Sequence, residues 1–288
     1  MDQIHRERIE RLQQNMAEQG VDVFLVLTHD DYAYFIGEIR RQPRALIPRQ
    51  GEPVLLTFAS EVEEARRNTG LTDIRPYRGL HEMMLAIISF FKGLGVEKPK
   101  VAIKMEFHTP YFLIERFKMA NPMVEIVDAG PLVSPLRRVK SAEEVALIRE
   151  AARLADLGIE TARQVIRPGI TELEGATEVE YVLKKNGADG LGFPMFVNSG
   201  YRSLWLHGGA TRKVIEPGDL IIVDIGPIYQ GYHADICRTF SVGEPSEEAK
   251  RLYGLYRRMQ EAALEEARPG KALHQIEARI EEVLKKDG

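Results

Sequence analysis

The sequence predicts two domains, the first of them α/β, and three observations carry that expectation. The 288 residues make two domains at about 150 residues each. Through the N-terminal half, short apolar strands alternate with helical patterns, which points to a mostly parallel or mixed sheet with helices. A proline-marked break near residue 138 then separates that pattern from a long capped helix. The boundaries expected are 1–137 for the first domain and 138–288 for the second.

In chain order, residues 5–19 carry Ile9, Leu12 and Met16 at helical spacing, with Gly20 where a C-cap belongs. Val21 to Leu27 reads as a mostly buried strand. Ala45 to Phe58 reads as a hairpin turning at Arg49-Gln50-Gly51-Glu52-Pro53. Helical patterns follow over 60–68, 81–93 and 109–120, between strands at Val101–Ile103 and Val124–Val127. Pro131-Leu132-Val133-Ser134-Pro135 reads as a breaker cluster. Ser141-Ala142-Glu143-Glu144 fits a capping box, and the apolar stripe from Val145 to Ile166 makes one helix that must end before Pro168.

The second half repeats itself. Arg167-Pro168-Gly169 opens a helix-length segment ending Val182-Leu183-Lys184-Lys185-Asn186-Gly187. A segment shifted by 101 residues runs from Arg268-Pro269-Gly270 to Val283-Leu284-Lys285-Lys286-Asp287-Gly288. A duplicated unit implies two similar halves about a pseudo-symmetry axis. The first copy is followed by strands and the second by the end of the sequence, so the expectation is a chain lacking the second half of its repeat.

Composition excludes several classes. Lys and Arg number 39 against 43 Asp and Glu, which leaves no basic footprint for nucleic acid. The N-terminus is charged from its second residue, unlike a secretory signal. The longest apolar stretch, Met83 to Phe91, is too short to span a bilayer. One cysteine, Cys237, forms no internal disulfide, so a soluble, cytoplasmic protein is expected.

The chemistry concentrates in the second half. Asp224 sits near the end of the apolar strand Leu220 to Ile225, where a lone charge needs a cation, strong donors or solvent. Asp235 follows eleven residues later on the returning strand, beyond turn signals at Gly226-Pro227 and Gln230-Gly231. Paired directly, the two carboxylates would lie on one face with Cβ atoms roughly 4.5–5.5 Å apart. They would repel unless one kept its proton or a divalent metal lay between them. Arg238 offers a metal-free alternative as a salt-bridge partner. His207, within Asn198 to Gly209, is a further candidate. His233 shares a face with Asp235 but is not counted as a ligand, and Cys237 reads as a small packed residue.

Val223-Asp224-Ile225-Gly226, Tyr229-Gln230-Gly231-Tyr232 and Asp235-Ile236-Cys237-Arg238-Thr239-Phe240 resemble the double-aspartate signature of the pita-bread metallopeptidases. That superfamily includes Xaa-Pro aminopeptidases, Xaa-Pro dipeptidases, methionine aminopeptidases and the metal-free creatinases. Asp31-Tyr32-Ala33-Tyr34-Phe35-Ile36-Gly37 resembles the creatinase-type N-terminal module, which indicates the proline-directed or creatinase branch. The resemblance implies an α+β pita-bread C-terminal domain, here incomplete. It implies Asp224 and Asp235 as ligands of a dinuclear site of manganese, cobalt or zinc, with Asp235 bridging both ions. His207 is then the histidine that orients the scissile carbonyl. The implied reaction is attack by a metal-bridging hydroxide on the Xaa-Pro bond of a peptide with proline at its second position. A homodimer is also implied, with no nucleic acid or membrane partner. The family's further histidine and two glutamates have no counterpart before Gly288, so weak metal binding and little peptidase activity are expected of this chain alone. The alternatives are a creatinase-like hydrolase with His207 as base, and a non-catalytic pita-bread interaction module.

Overall fold

The structure is a computed structural model, and it describes every residue except Phe107, His108, Pro110, Leu206 and Gly288, together with the side chains of Leu113 and Asp287. Pro110 in the expected 109–120 helix, Leu206 beside His207 and Gly288 at the end of the repeat therefore lie outside the described residues. The chain divides into two compact units, Met1–Val145 and Ala146–Gly288.

The first unit runs α1 (Gln3–Glu18), β1 (Val23–Val26), α2 (His29–Ile36), β2 (Ala45–Pro48), β3 (Val54–Phe58), α3 (Val62–Thr69) and β4 (Ile74–Tyr77). It continues through α4 (Leu80–Gly93), β5 (Lys100–Ile103), α5 (Tyr111–Ala120), β6 (Glu125–Asp128) and α6 (Gly130–Arg138). The six strands form one mixed sheet in the order β4-β3-β2-β1-β5-β6. β2 is antiparallel to both neighbours, which makes the expected hairpin, and the remaining pairs are parallel. All four residues of β1 are buried because helices cover both faces. Phe24 and Val26 pack with Leu12, Phe35 and Leu132 on one side, while Val23 and Leu25 pack with Ile87, Phe91 and Phe117 on the other.

The breaker cluster is a helix. Pro131 stands in the first turn of α6, where its missing N–H has no intrahelical acceptor to lose. Pro135 is tolerated inside because Leu132, Val133 and Leu136 anchor the helix in the core. α2 is a second helix that the sequence pattern does not predict.

The second unit contains α7 (Ala142–Val165), α8 (Glu172–Lys185), β7 (Gly190–Leu191), β8 (Phe196–Ser199) and β9 (Leu220–Ile225). β10 (Pro227–Tyr229), β11 (Tyr232–His233), β12 (Ile236–Ser241), α9 (Glu247–Glu266) and α10 (Leu273–Asp287) complete it. The predicted capping box begins α7: the Glu144 carboxylate accepts from the Ser141 N–H at 2.8 Å and the Glu144 N–H donates to the Ser141 hydroxyl at 3.3 Å. The unit division falls inside α7, beyond the sequence break at 138. The strands form two three-stranded sheets, β11-β10-β7 and β12-β9-β8. Leu154, Ala162, Val179 and Leu183 of α7 and α8 pack with Ile221, Val223 and Ile225 of β9. Both copies of the repeat enter their helices alike, with Gly169 at φ +90° and Gly270 at φ +87°.

Candidate metal centre

β9 alternates. Ile221, Val223 and Ile225 are buried against the helices, while Leu220, Ile222 and Asp224 point the other way and are half-buried. A period of two thus lets a carboxylate occupy an apolar strand without entering the core.

The returning strand is set by its turn. Gln230 (φ +46°) and Gly231 (φ +78°) are both left-handed, the pattern of a two-residue type I′ turn whose twist matches the strands beside it. The Asp189 carboxylate accepts from the Gly231 N–H at 3.2 Å and holds that turn. One register then runs along the whole ribbon: Tyr229 faces Tyr232, Ile228 faces His233, Ile225 faces Ile236, and Asp224 faces Cys237. The Ala234 N–H donates to the Pro227 carbonyl at 3.0 Å and joins the two stretches.

Asp235 is therefore not the direct partner of Asp224, as the sequence suggested. The tight turn moves the register by two residues. Because side chains alternate with the same period, both carboxylates still share a face. They stand as diagonal neighbours, about 7–8 Å apart at Cα. The nearest position across from Asp235 is Gly226, where an added Cβ would lie 2.5 Å from the Phe193 ring.

The electrostatics of this pair are unresolved by the protein itself. Asp224 Oδ1 is buried and has no hydrogen-bond partner. Burial, then the charge of Asp235 and a hydrogen bond between the two groups, push the Asp224 carboxyl above its ordinary value. Arg238 does not neutralise them: it alternates to the other face and donates to the Cys237 carbonyl at 2.8 Å. Asn198 Oδ1 and Ser241 Oγ are also buried without partners, and their register against Ile222 and Leu220 puts them on the Asp224 face. Buried polar atoms are ordinarily paired, so this face is built to meet something polar. Two carboxylates with an unused oxygen are hard donors suited to a divalent cation. Among the described residues, no group of three or more His, Cys, Asp or Glu side chains gathers into a metal-sized cluster.

His207 lies in an exposed turn, and no hydrogen bond or ion pair among the described residues links it to either aspartate. The structure brings Asp224 and Asp235 together. His233 packs toward Gly192, where an added Cβ would lie 2.7 Å from its Nδ1. Cys237 is an exposed residue rather than a packed one; partial desolvation of its thiol by the surrounding strand, then the charge of Asp224, raises its pKa. Sequence reasoning missed Phe193 and Phe196, whose rings sit 5.6 Å apart, with Phe196 directly beside Asp224 in register. It also missed Glu172, which is fully buried. The position gave no warning, since a glutamate in a helix's first turn ordinarily serves the helix dipole at the surface.

Residues 146–288 match the model of metallopeptidase family M24, and residues 8–139 match the creatinase/prolidase N-terminal domain. The Xaa-Pro dipeptidase of Pyrococcus furiosus is 30% identical over 283 residues, spanning 98% of this chain and 78% of that protein. The chain belongs to metallopeptidase family M24. Solved structures agree with the membership. An Xaa-Pro dipeptidase from Bacillus anthracis matches with a TM-score of 0.86 and 29% identity, over 99% of this chain and 78% of that one. An X-Pro aminopeptidase from Thermotoga maritima matches with a TM-score of 0.85 and 30% identity, over 96% and 77%. Membership in metallopeptidase family M24 implies divalent metal ions for this chain.

Proposed function

We propose that this M24 chain hydrolyses the bond between an amino acid and a following proline, with Asp224 and Asp235 holding the catalytic divalent metal. One observation carries the assignment of the site: two carboxylates share a sheet face, and one has a buried oxygen that nothing in the protein satisfies. The substrate class is supported by the relatives, which are named as Xaa-Pro dipeptidases and an X-Pro aminopeptidase. Manganese, cobalt or zinc, as a pair, are the proposed occupants.

Bound metal supplies Lewis acidity, which polarises a carbonyl and lowers the pKa of water. The protein's residues do the rest. Asp224 and Asp235 would hold the metal, their two carboxylates supplying the negative charge that it requires. Phe193 and Phe196 form an apolar wall beside Asp224 that suits the pyrrolidine ring of proline. His207, on its exposed turn, reaches solvent-side substrate and donates to the scissile carbonyl.

The test is turnover of Xaa-Pro dipeptides and longer X-Pro peptides after chelation and after restoring manganese. The expected result is metal-dependent cleavage that falls at least ~100-fold in D224N or D235N, the scale of losing an interaction that acts in the transition state. Chelator-insensitive turnover, or turnover of a guanidino substrate without metal, would replace this reading with the creatinase-like one.

A further inference from the structure

Glu172 opens α8, yet its residue surface is 0% exposed. Its Oε1 accepts from the Ser199 N–H at 2.7 Å and the Ser199 hydroxyl at 2.9 Å. Its Oε2 accepts from the Thr211 N–H at 3.1 Å, the Thr211 hydroxyl at 2.7 Å and the Arg202 Nε–H at 2.9 Å. One carboxylate thereby grips both ends of the segment 199–211, the segment that carries His207. The backbone repeats the attachment, since the Leu173 N–H donates to the Thr211 carbonyl at 2.8 Å and the Glu172 N–H to the Lys213 carbonyl at 3.0 Å.

The grip extends inward along the segment. Arg202 donates through Nη2 to the Gly209 carbonyl at 2.7 Å, and its guanidinium lies 4.9 Å from the Trp205 ring centroid. Asn198 Nδ2 donates to the Trp205 carbonyl at 3.3 Å. At the other side, Ser199 ends β8, whose Phe196 borders Asp224. A buried ion pair is seldom a net gain in stability over apolar packing, and its better-attested use is to specify position. Burial alone would raise the Glu172 pKa, but the hydrogen bonds from Ser199 and Thr211 hold it below the ordinary value, so the clamp stays ionised at neutral pH.

We propose that Glu172 is a positioning residue: by fastening both ends of segment 199–211 to the first turn of α8, it sets where the segment's His207 stands. The proposal rests on the reading of His207 as a substrate-orienting group. Its structural half has a separate readout, because Trp205 is the single tryptophan of the chain and lies on the clamped segment.

The experiment uses the full chain and the variants E172Q, T211V, T211S and H207A. The glutamine amide turns N–H donors toward donors, whereas T211V removes one hydroxyl and keeps the backbone contact, so it stays folded if E172Q does not. Acrylamide quenching of Trp205 should rise in E172Q and T211V and return to the wild-type level in T211S. On a metal-loaded Xaa-Pro dipeptide, kcat should fall ~10–100-fold in E172Q, as for other residues supporting an active-site group, with KM little changed. Manganese affinity should be retained, since both aspartates are untouched, and E172Q should cost nothing further in an H207A background. Unchanged Trp205 quenching in folded E172Q or T211V overturns the clamp. Losses that multiply between E172Q and H207A overturn action through His207. Wild-type turnover in H207A alone locates the failure in the reading of His207, with Trp205 still deciding the clamp.

Discussion

Glu172 is a buried carboxylate and Asp224 a half-buried one with a single buried oxygen, and their circumstances are opposite. Five donor groups keep Glu172 ionised, while Asp224 has a partnerless oxygen and another acid beside it. Their linkage to pH has opposite sign. The Glu172 carboxyl is held below its ordinary value, so its ionised form stabilises the fold above the unfolded pKa, and that contribution is lost as pH falls through the folded one. The Asp224 carboxyl is raised above its ordinary value, so its contribution is present at low pH and lost as pH rises through the folded pKa. D224N should therefore raise the melting temperature of the metal-free chain at pH 7. An unsatisfied buried group costs about 1–3 kcal/mol, which is a shift of a few degrees for a unit of this size. The two proteins should converge at acid pH; a lower melting temperature for D224N at pH 7 contradicts the account. The sequence exposed Asp224 because a charge interrupts an apolar strand. It hid Glu172, because saturation by Ser199, Arg202 and Thr211 is a tertiary fact with no local pattern.

The ribbon of β9 to β12 decides whether those residues can cooperate. Its register follows from two left-handed residues, and Gln230 is the only non-glycine at positive φ among the described residues. Gln230→Asn, better suited to that conformation, should stabilise the chain by about 0.5–1 kcal/mol in chemical denaturation. Gly231→Ala should destabilise it by about 1–2 kcal/mol, the cost of a Cβ in the left-handed region. Equal stabilities would mean that the turn does not hold the register. The strands and the capping box of α7 were legible because each has a short-range signature. The pairing of Asp224 was not, since two residues of slip leave the hydrophobic pattern unchanged. α6 escaped for a different reason: buried Leu132, Val133 and Leu136 overrule the local effect of Pro135. In α2, the buried aromatics Tyr32, Tyr34 and Phe35 have little helical preference of their own, and core packing selects the helix.

At the scale of the whole chain, two units have separate cores, and the carboxylates belong to the second. The mixed sheet of the first unit was legible from its alternating elements, and the double-aspartate motif by itself indicates the family. Binding of a cation at β9 and β12 should slow amide exchange there and leave the β1–β6 sheet unchanged, read by hydrogen exchange with mass spectrometry. Ligand at a hundredfold excess over Kd adds about 2.7 kcal/mol to the state that binds it, so the difference between units is measurable. Equal protection of both units would place the ion elsewhere. The most direct measurement is manganese calorimetry at pH 7 on the wild-type chain, D224N, D235N and the double variant. If the two acids hold metal together, either single change removes most of the affinity, the double change costs little more, and wild-type binding releases protons. Single variants that bind as the wild type does, or losses that simply add, would contradict a shared site.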